Sequence, residues 1–228
     1  MDKRMDKRFD LNRNTLMQTV AEGLIANGLI MTKEQSPEGK GFRLKLHETN
    51  PDAPLSPVYV NLRLLRSLPK LLSEVAKIYE SKIFVEMYQD GVEFDKLSDV
   101  PTAATPIVTL ISQNTGIPMI TPRESKSHGS GAIIDGIYEA GQKVLLVDDL
   151  VTKADSKIAA AKVLEAEGLV VEHVIVLVDR EQGGKEQLEK SGYKLHSIFK
   201  LSELLDFYHK KGKMTQETYD EIKAYLRK

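Results

Sequence analysis

Cysteine is absent from the 228-residue sequence, which removes disulfides, thiolate nucleophiles and zinc–sulfur centres together and agrees with a cytosolic setting. An excess of charge of either sign is also missing. The sequence holds 32 Lys and Arg against 33 Asp and Glu, so no nucleic acid is expected as the main partner. No apolar run approaches the roughly 18 residues of a membrane span, and the opening MDKRMDKRFD lacks the apolar core of a signal peptide. A soluble cytoplasmic protein with no membrane partner is expected. Several active-site patterns are missing as well. There is no G-x-x-x-x-G-K followed by Ser or Thr, which excludes a P-loop kinase. GSGAIIDG has the wrong spacing for a dinucleotide-binding G-x-G-x-x-G and follows a polar stretch. None of the five histidines forms an H-x-x-x-H pair, and no G-x-S-x-G elbow occurs, so a protein-ligated metal and a serine hydrolase drop out.

What is present reads as one compact unit with an appended subdomain. The tandem MDKR is expected to be a solvated, frayed terminus or an alternative start. Leu16, Val20, Leu24 and Ile25 recur at helical spacing, giving a helix over 11–31, whole or broken near Gly23 or Gly28. Residues 35–65 alternate and are punctuated by Pro and Gly, which predicts a small antiparallel element with a polar loop at 47–55. A helix over 68–81 follows, then a helix with Thr105 as cap, Pro106 in its first turn and Gly116 closing it. IPMIT is a short strand, and PRESKSHGSGAIIDG has little to bury and is expected to be mobile without ligand. KVLLVDD is an apolar run ended by acids, as expected of a parallel strand covered on both faces. Ile158, Ala161 and Leu164 mark a helix ending at Gly168, after which VVEHVIVLVDRE repeats the strand design. Alternating strands and helices imply an α/β sheet. The tail gives two amphipathic packing helices with Ser202 and Thr215 as caps.

In such a sheet, ligands bind beyond the carboxyl ends of the strands. Three ends carry informative residues: Val100 to Thr105, Asp148-Asp149, and Asp179-Arg180. Paired carboxylates there either solubilise a strand end or accept hydrogen bonds from vicinal sugar hydroxyls and lie near a metal. Thr152 and Ser156, flanking a helix start, offer hydroxyls and backbone N–H groups to a phosphate.

RLKLHET…SPVYVNLR, FDKLSDVPTAATP, IPMITPRESKSHG, VLLVDDLVT, VLVDREQGG and YKLHSIFKLSELL run in order from about Phe42 to the last helix. In that order they resemble the type I phosphoribosyltransferases and, within them, the orotate phosphoribosyltransferases. The resemblance implies a central parallel sheet flanked by helices. It also implies an N-terminal helix and hood over residues 1–65, and a phosphoribosyltransferase core with C-terminal helices over 66–228. It implies transfer from 5-phosphoribosyl diphosphate to orotate, with Mg2+ held mainly by the diphosphate. On the matching positions Asp148 and Asp149 hold the ribose hydroxyls, while Thr152, Lys153, Ala154, Asp155 and Ser156 receive the 5'-phosphate. Thr102 and Ala103 approach the pyrophosphate, and Lys45 and Arg180 face orotate, with Tyr59 a further substrate-binding residue. Lys126 and His128 fall in a loop that closes over the diphosphate of a neighbouring subunit, which implies a homodimer with shared sites.

The sequence departs from the family pattern at three places. Pro122 stands where an arginine of the loop's basic pair is usual, and Arg123 takes the place of its lysine. HETNPDAPL is longer than the usual loop. Lys153-Ala154-Asp155 replaces small residues, and a carboxylate about 5 Å from a phosphate oxygen costs roughly 3 kcal/mol per unit charge at an effective dielectric near 20. Asp155 turned outward with Lys153 toward the phosphate is the expected geometry; a turn self-capped by Asp155 is its rival. These departures keep two alternatives open: transfer to another base, or a non-catalytic protein that senses nucleotides or diphosphates on the same fold.

Overall fold

The computed structural model describes residues 3–48, 50–123 and 133–227. The first elements are α1 (Lys3–Ala26), β1 (Ile30–Thr32), β2 (Val58–Val60), α2 (Pro69–Ser81), β3 (Lys96–Asp99), α3 (Thr105–Thr115) and β4 (Met119–Pro122). They are followed by β5 (Ile134–Asp135), β6 (Lys143–Val151), α4 (Asp155–Ala166), β7 (Val170–Asp179), α5 (Gly184–Lys190), β8 (Lys194–Lys200), α6 (Leu201–Lys210) and α7 (Gln216–Leu226).

The apolar runs of β6 and β7 have no polar face, so each must be covered on both sides, and they form the middle of a six-stranded sheet ordered β5-β4-β3-β6-β7-β8. All pairings are parallel except that of β4 with β5. Alternate residues serve opposite layers. Leu145 and Val147 pack with Val20, Leu24, Tyr79, Ile107 and Tyr208, whereas Leu146 packs with Ala161, Leu164 and Leu188. Each such apolar side chain contributes about 1.5–3 kcal/mol on burial. Val58 and Val60 of β2 share the larger cluster with Val75 and Leu97.

Local details depart from the sequence reading, at the helix caps because a tertiary partner outcompetes a local one. The tandem MDKR is helical from Lys3, and α1 ends at Ala26, so that Ile30–Thr32 pairs antiparallel with Val58–Val60. The antiparallel element is present but its strands are three residues long, supplemented by a single Phe42–Ser56 bridge. Ala104, not Thr105, is the N-cap of α3, because the Thr105 hydroxyl donates to Asp99 instead. Lys200, not Ser202, caps α6. Glu203 accepts from the Lys200 N–H at 3.3 Å, while the Ser202 N–H donates to Glu181 Oε2 at 2.8 Å. Thr215 does cap α7, accepting from the Thr218 N–H at 3.2 Å. Gly116 closes α3 at φ +75°.

Candidate active site

β4 leaves β3 on one side and β6 lies on the other, so the carboxyl ends of β3 and β6 flank a topological switch point. Register then decides what meets there. Asp99 pairs with Val147, and the Val100 N–H donates to Val147 O at 3.1 Å, which sets the turn Pro101–Ala104 beside Asp148. Val151 pairs with Asp179, and the Arg180 N–H donates to Val151 O at 2.9 Å, which sets Arg180 beside Thr152. Pairing in β6 runs through both acids to Val151, so Asp148 and Asp149 are strand residues and not its cap.

Both acids are buried. Lys157 Nζ lies 2.5 Å from Asp148 Oδ2, and the Asp149 N–H donates to Asp148 Oδ1 at 2.9 Å. Burial pushes the Asp148 carboxyl up to about 7, with Asp149 pushing the same way and Lys157 opposing. Asp149 Oδ1 accepts from the Leu150 N–H at 2.7 Å. The fully buried Tyr79 donates to Asp148 O at 2.6 Å and fixes the strand from below. Across the switch point, buried Asp99 accepts from Thr121 Oγ1 at 2.6 Å as well as from Thr105, which holds the start of α3 and the turn before it.

The Thr152–Ser156 turn rests on α5. A side chain at Gly184 would begin 2.4 Å from Val151 Cγ2 and 2.9 Å from Thr152 O, so only glycine allows this approach. Lys153 Nζ lies 3.2 Å from where a side chain at Gly183 would begin. Asp155 opens α4 but makes no side-chain cap. Its Oδ1 accepts from Gln187 Nε2 at 2.6 Å, and Gln187 Oε1 accepts from the Ala154 N–H at 2.9 Å. The self-capped turn is therefore not what forms.

Two clefts adjoin at Ser156. One, of about 600 Å³, is lined by Tyr59, Arg63, Ala103, Asp148 and Asp149 among others. The second, of about 730 Å³, is lined by Leu44, the phosphate-turn candidates Thr152, Lys153, Asp155 and Ser156, and Arg180. Its remaining wall includes Tyr225, Leu226 and Arg227 at the end of α7, so α7 does more than pack. Arg180 is 5% exposed, and its Nε and Nη2 have no hydrogen-bond partner among the described residues. Burial draws its pKa down from the ordinary arginine value, with Tyr225 and Tyr59 acting in the opposite sense. Asp179 Oδ1 accepts from the Glu181 N–H at 2.8 Å and so shapes the turn, with φ +57° at Glu181, that presents Arg180.

Of the residues singled out in the sequence, Tyr59, Ala103, Asp148, Asp149, Thr152, Lys153, Asp155, Ser156 and Arg180 line these two clefts, with Ala154 buried beneath the turn. Thr102 lies in the adjacent turn, where its carbonyl accepts from Arg66. Tyr59 stacks on Phe42 with ring centroids 5.2 Å apart. Lys45 lies in a 3-10 turn, Lys45–Glu48, next to cleft-lining Leu44, and its side chain is outside what is described. Arg123 stands apart, paired with Asp135 at 2.9 Å. Lys126 and His128 lie outside the described residues, as does most of the loop expected to be mobile. Lys157, Gln187 and Tyr225 escaped the sequence reading. For Lys157 a signal existed: it shares the buried stripe of α4 with Ala160, Ala161 and Leu164, and a lysine in such a stripe needs a buried acid. Among the described residues no group of three or more His, Asp or Glu side chains converges as a metal site.

No family model matches the chain. The orotate phosphoribosyltransferase of Caenorhabditis elegans is 34% identical over 175 residues, 76% of this chain and 75% of that protein. The uridine 5'-monophosphate synthase of Bos taurus is 36% identical over 172 residues, 75% of this chain; the match spans 35% of the bovine protein. Among solved structures, the UMP synthase of Leishmania donovani superposes with a TM-score of 0.74 at 30% identity, covering 91% of this chain and 41% of that one.

Proposed function

This chain belongs to the orotate phosphoribosyltransferase family and is an enzyme of that kind; we propose that it transfers the 5-phosphoribosyl group from 5-phosphoribosyl diphosphate to orotate, giving orotidine 5'-monophosphate and pyrophosphate for pyrimidine nucleotide synthesis. The observation that carries the choice of acceptor is Arg180. A buried guanidinium whose Nε and Nη2 have no partner among the described residues, beside an open cleft, suits a planar carboxylate, and orotate brings one.

The chain's own residues divide the work by position. Thr152 to Ser156, with Lys153, receive the 5'-phosphate. Both oxygens of Asp148 are engaged within the protein, so Asp149 makes the leading contact with the ribose hydroxyls while Asp148 and Lys157 hold it in place. Thr102 and Ala103 approach the pyrophosphate. Tyr59 and Lys45 of the 1–65 hood cover the base against the 66–228 core. Orotate's ring nitrogen bonds to the anomeric carbon and gives up its proton, while the bond from that carbon to the diphosphate oxygen breaks and pyrophosphate leaves with the electron pair; the protein contributes alignment and a prepared electrostatic surface. Mg2+ would travel on the diphosphate, neutralising the leaving group's charge next to Asp149. Arg123, Lys126 and His128 serve the diphosphate from the loop of a partner subunit, in a cytoplasmic homodimer. The support for that last arrangement is the family resemblance.

A base-selectivity assay tests this reading. Purified protein with Mg2+ and 5-phosphoribosyl diphosphate is given orotate, uracil or a purine base separately. Orotidine 5'-monophosphate from orotate alone is the expected result. Product from another base would reassign the acceptor, and no product from any base would favour a binding protein.

A further inference from the structure

Gln187 bonds to the phosphate turn through both ends of one amide. Its Oε1 accepts from the Ala154 N–H at 2.9 Å and its Nε2 donates to Asp155 Oδ1 at 2.6 Å. Only this orientation of the amide satisfies both partners, since a flipped amide would set oxygen against carboxylate and N–H against N–H. The support beneath it is closely packed: Gly184, three residues earlier on α5, lies against Thr152 O and Val151. Asp155 meanwhile borders the same cleft as Thr152, Lys153 and Ser156. A carboxylate free to turn into that cleft would repel any phosphate entering it.

We propose that Gln187 is a positioning residue for phosphate binding: its amide engages the Ala154 N–H, holds the Asp155 carboxylate against α5, and leaves Thr152, Lys153 and Ser156 to face the ligand. The inference rests on the reading that the Thr152–Ser156 turn receives the 5'-phosphate. It explains how an acid occupies this turn without closing it. A neutral amide suits this role better than a charged side chain. A lysine at 187 would pair with Asp155 but could not accept from the Ala154 N–H, and a glutamate would repel Asp155.

A double-mutant cycle tests it. Gln187→Ala frees Asp155, so the KM for 5-phosphoribosyl diphosphate should rise about tenfold or more, with kcat within about twofold of wild type. Ribose 5-phosphate, titrated calorimetrically, should weaken by a similar factor. Asp155→Ala sets a second baseline. In that background Gln187→Ala should change KM by less than about twofold, because the group it restrains is gone. Gln187→Met keeps the volume and removes both bonds, and serves if the Ala variant does not fold. An unchanged KM in the single variant overturns the proposal, as does an equal penalty in both backgrounds, which would make Gln187 a purely structural residue. Wild-type protein that binds neither 5-phosphoribosyl diphosphate nor ribose 5-phosphate would overturn the underlying reading and this inference with it. Failure of the cycle on an active wild type overturns this inference alone.

Discussion

Lys157 Nζ and Asp148 Oδ2 are 2.5 Å apart, with side chains 6% and 4% exposed. Above pH 7, where the Asp148 carboxyl is ionised, removing Lys157 leaves a buried charge uncompensated, so Lys157→Met should destabilise the protein there by about 3–5 kcal/mol, read from urea unfolding midpoints. Loss of less than about 1 kcal/mol would show that the pair is not formed in solution.

The same acid makes stability depend on pH. Burial holds Asp148 up to about 7, so between the ordinary carboxylate range and 7 the folded protein keeps a proton that the unfolded chain has released. Its contribution to stability is fully present at low pH and is lost as pH rises toward 7. The stability of wild type relative to Asp148→Asn should fall across that window. Parallel curves would contradict the assignment.

Asp149 stands at the edge of the cleft. Its side chain accepts from the next residue's N–H and faces the cleft, so Asp149→Asn should weaken 5-phosphoribosyl diphosphate binding with the unfolding midpoint almost unchanged. A cooperative loss of structure would make the acid structural.

Arg180 and Tyr225 should separate the two substrates. Arg180→Gln removes a charge-assisted partner for the orotate carboxylate, and its loss should raise the KM for orotate roughly ten- to hundredfold while affecting 5-phosphoribosyl diphosphate far less. Tyr225→Ala, at the cleft end of α7, should raise the same KM with little change in melting temperature, because α7 is anchored elsewhere by Ile222 and by Thr218 donating to Glu34 Oε1 at 2.5 Å. Equal effects on both substrates would place the base elsewhere.

His196 predicts acid sensitivity. Burial, then His173, with Nδ1 3.0 Å from His196 Nε2, and Lys194 draw its pKa down to about 4. As pH falls from the ordinary histidine value toward 4, the unfolded chain takes up a proton that the folded chain refuses, and stability is lost. His196→Gln should flatten the fall in urea midpoint between pH 6.5 and 4. An unchanged slope would show the imidazole to be accessible and protonated.

The middle of the sheet was legible because β6 and β7 are continuous apolar runs, as a parallel strand covered on both faces requires, whereas β3 (KLSD) and β8 (KLHSIFK) are rich in polar residues and carry no such signal. The strand-end residues were legible for the same reason: Asp148, Asp149 and Arg180 stand where an apolar run stops. What stayed hidden was partnership. Nothing adjacent in sequence says that Thr105 will turn to Asp99 instead of capping its helix, that Gln187 will reach Asp155 across 32 positions, or that Tyr225 will wall a cleft. Each depends on the register of β6 with β7 and on helices folding back over the sheet, which local pattern does not encode.

Phosphate binding by the Lys153-Ala154-Asp155 turn is tested most directly by calorimetric titration with 5-phosphoribosyl diphosphate and Mg2+, followed by addition of orotate and detection of product in the same cell. Saturable binding at one site per chain, and then orotidine 5'-monophosphate, is the predicted result. A folded protein that gives no binding heat and no product would contradict it, and would mean that this turn is closed to phosphate.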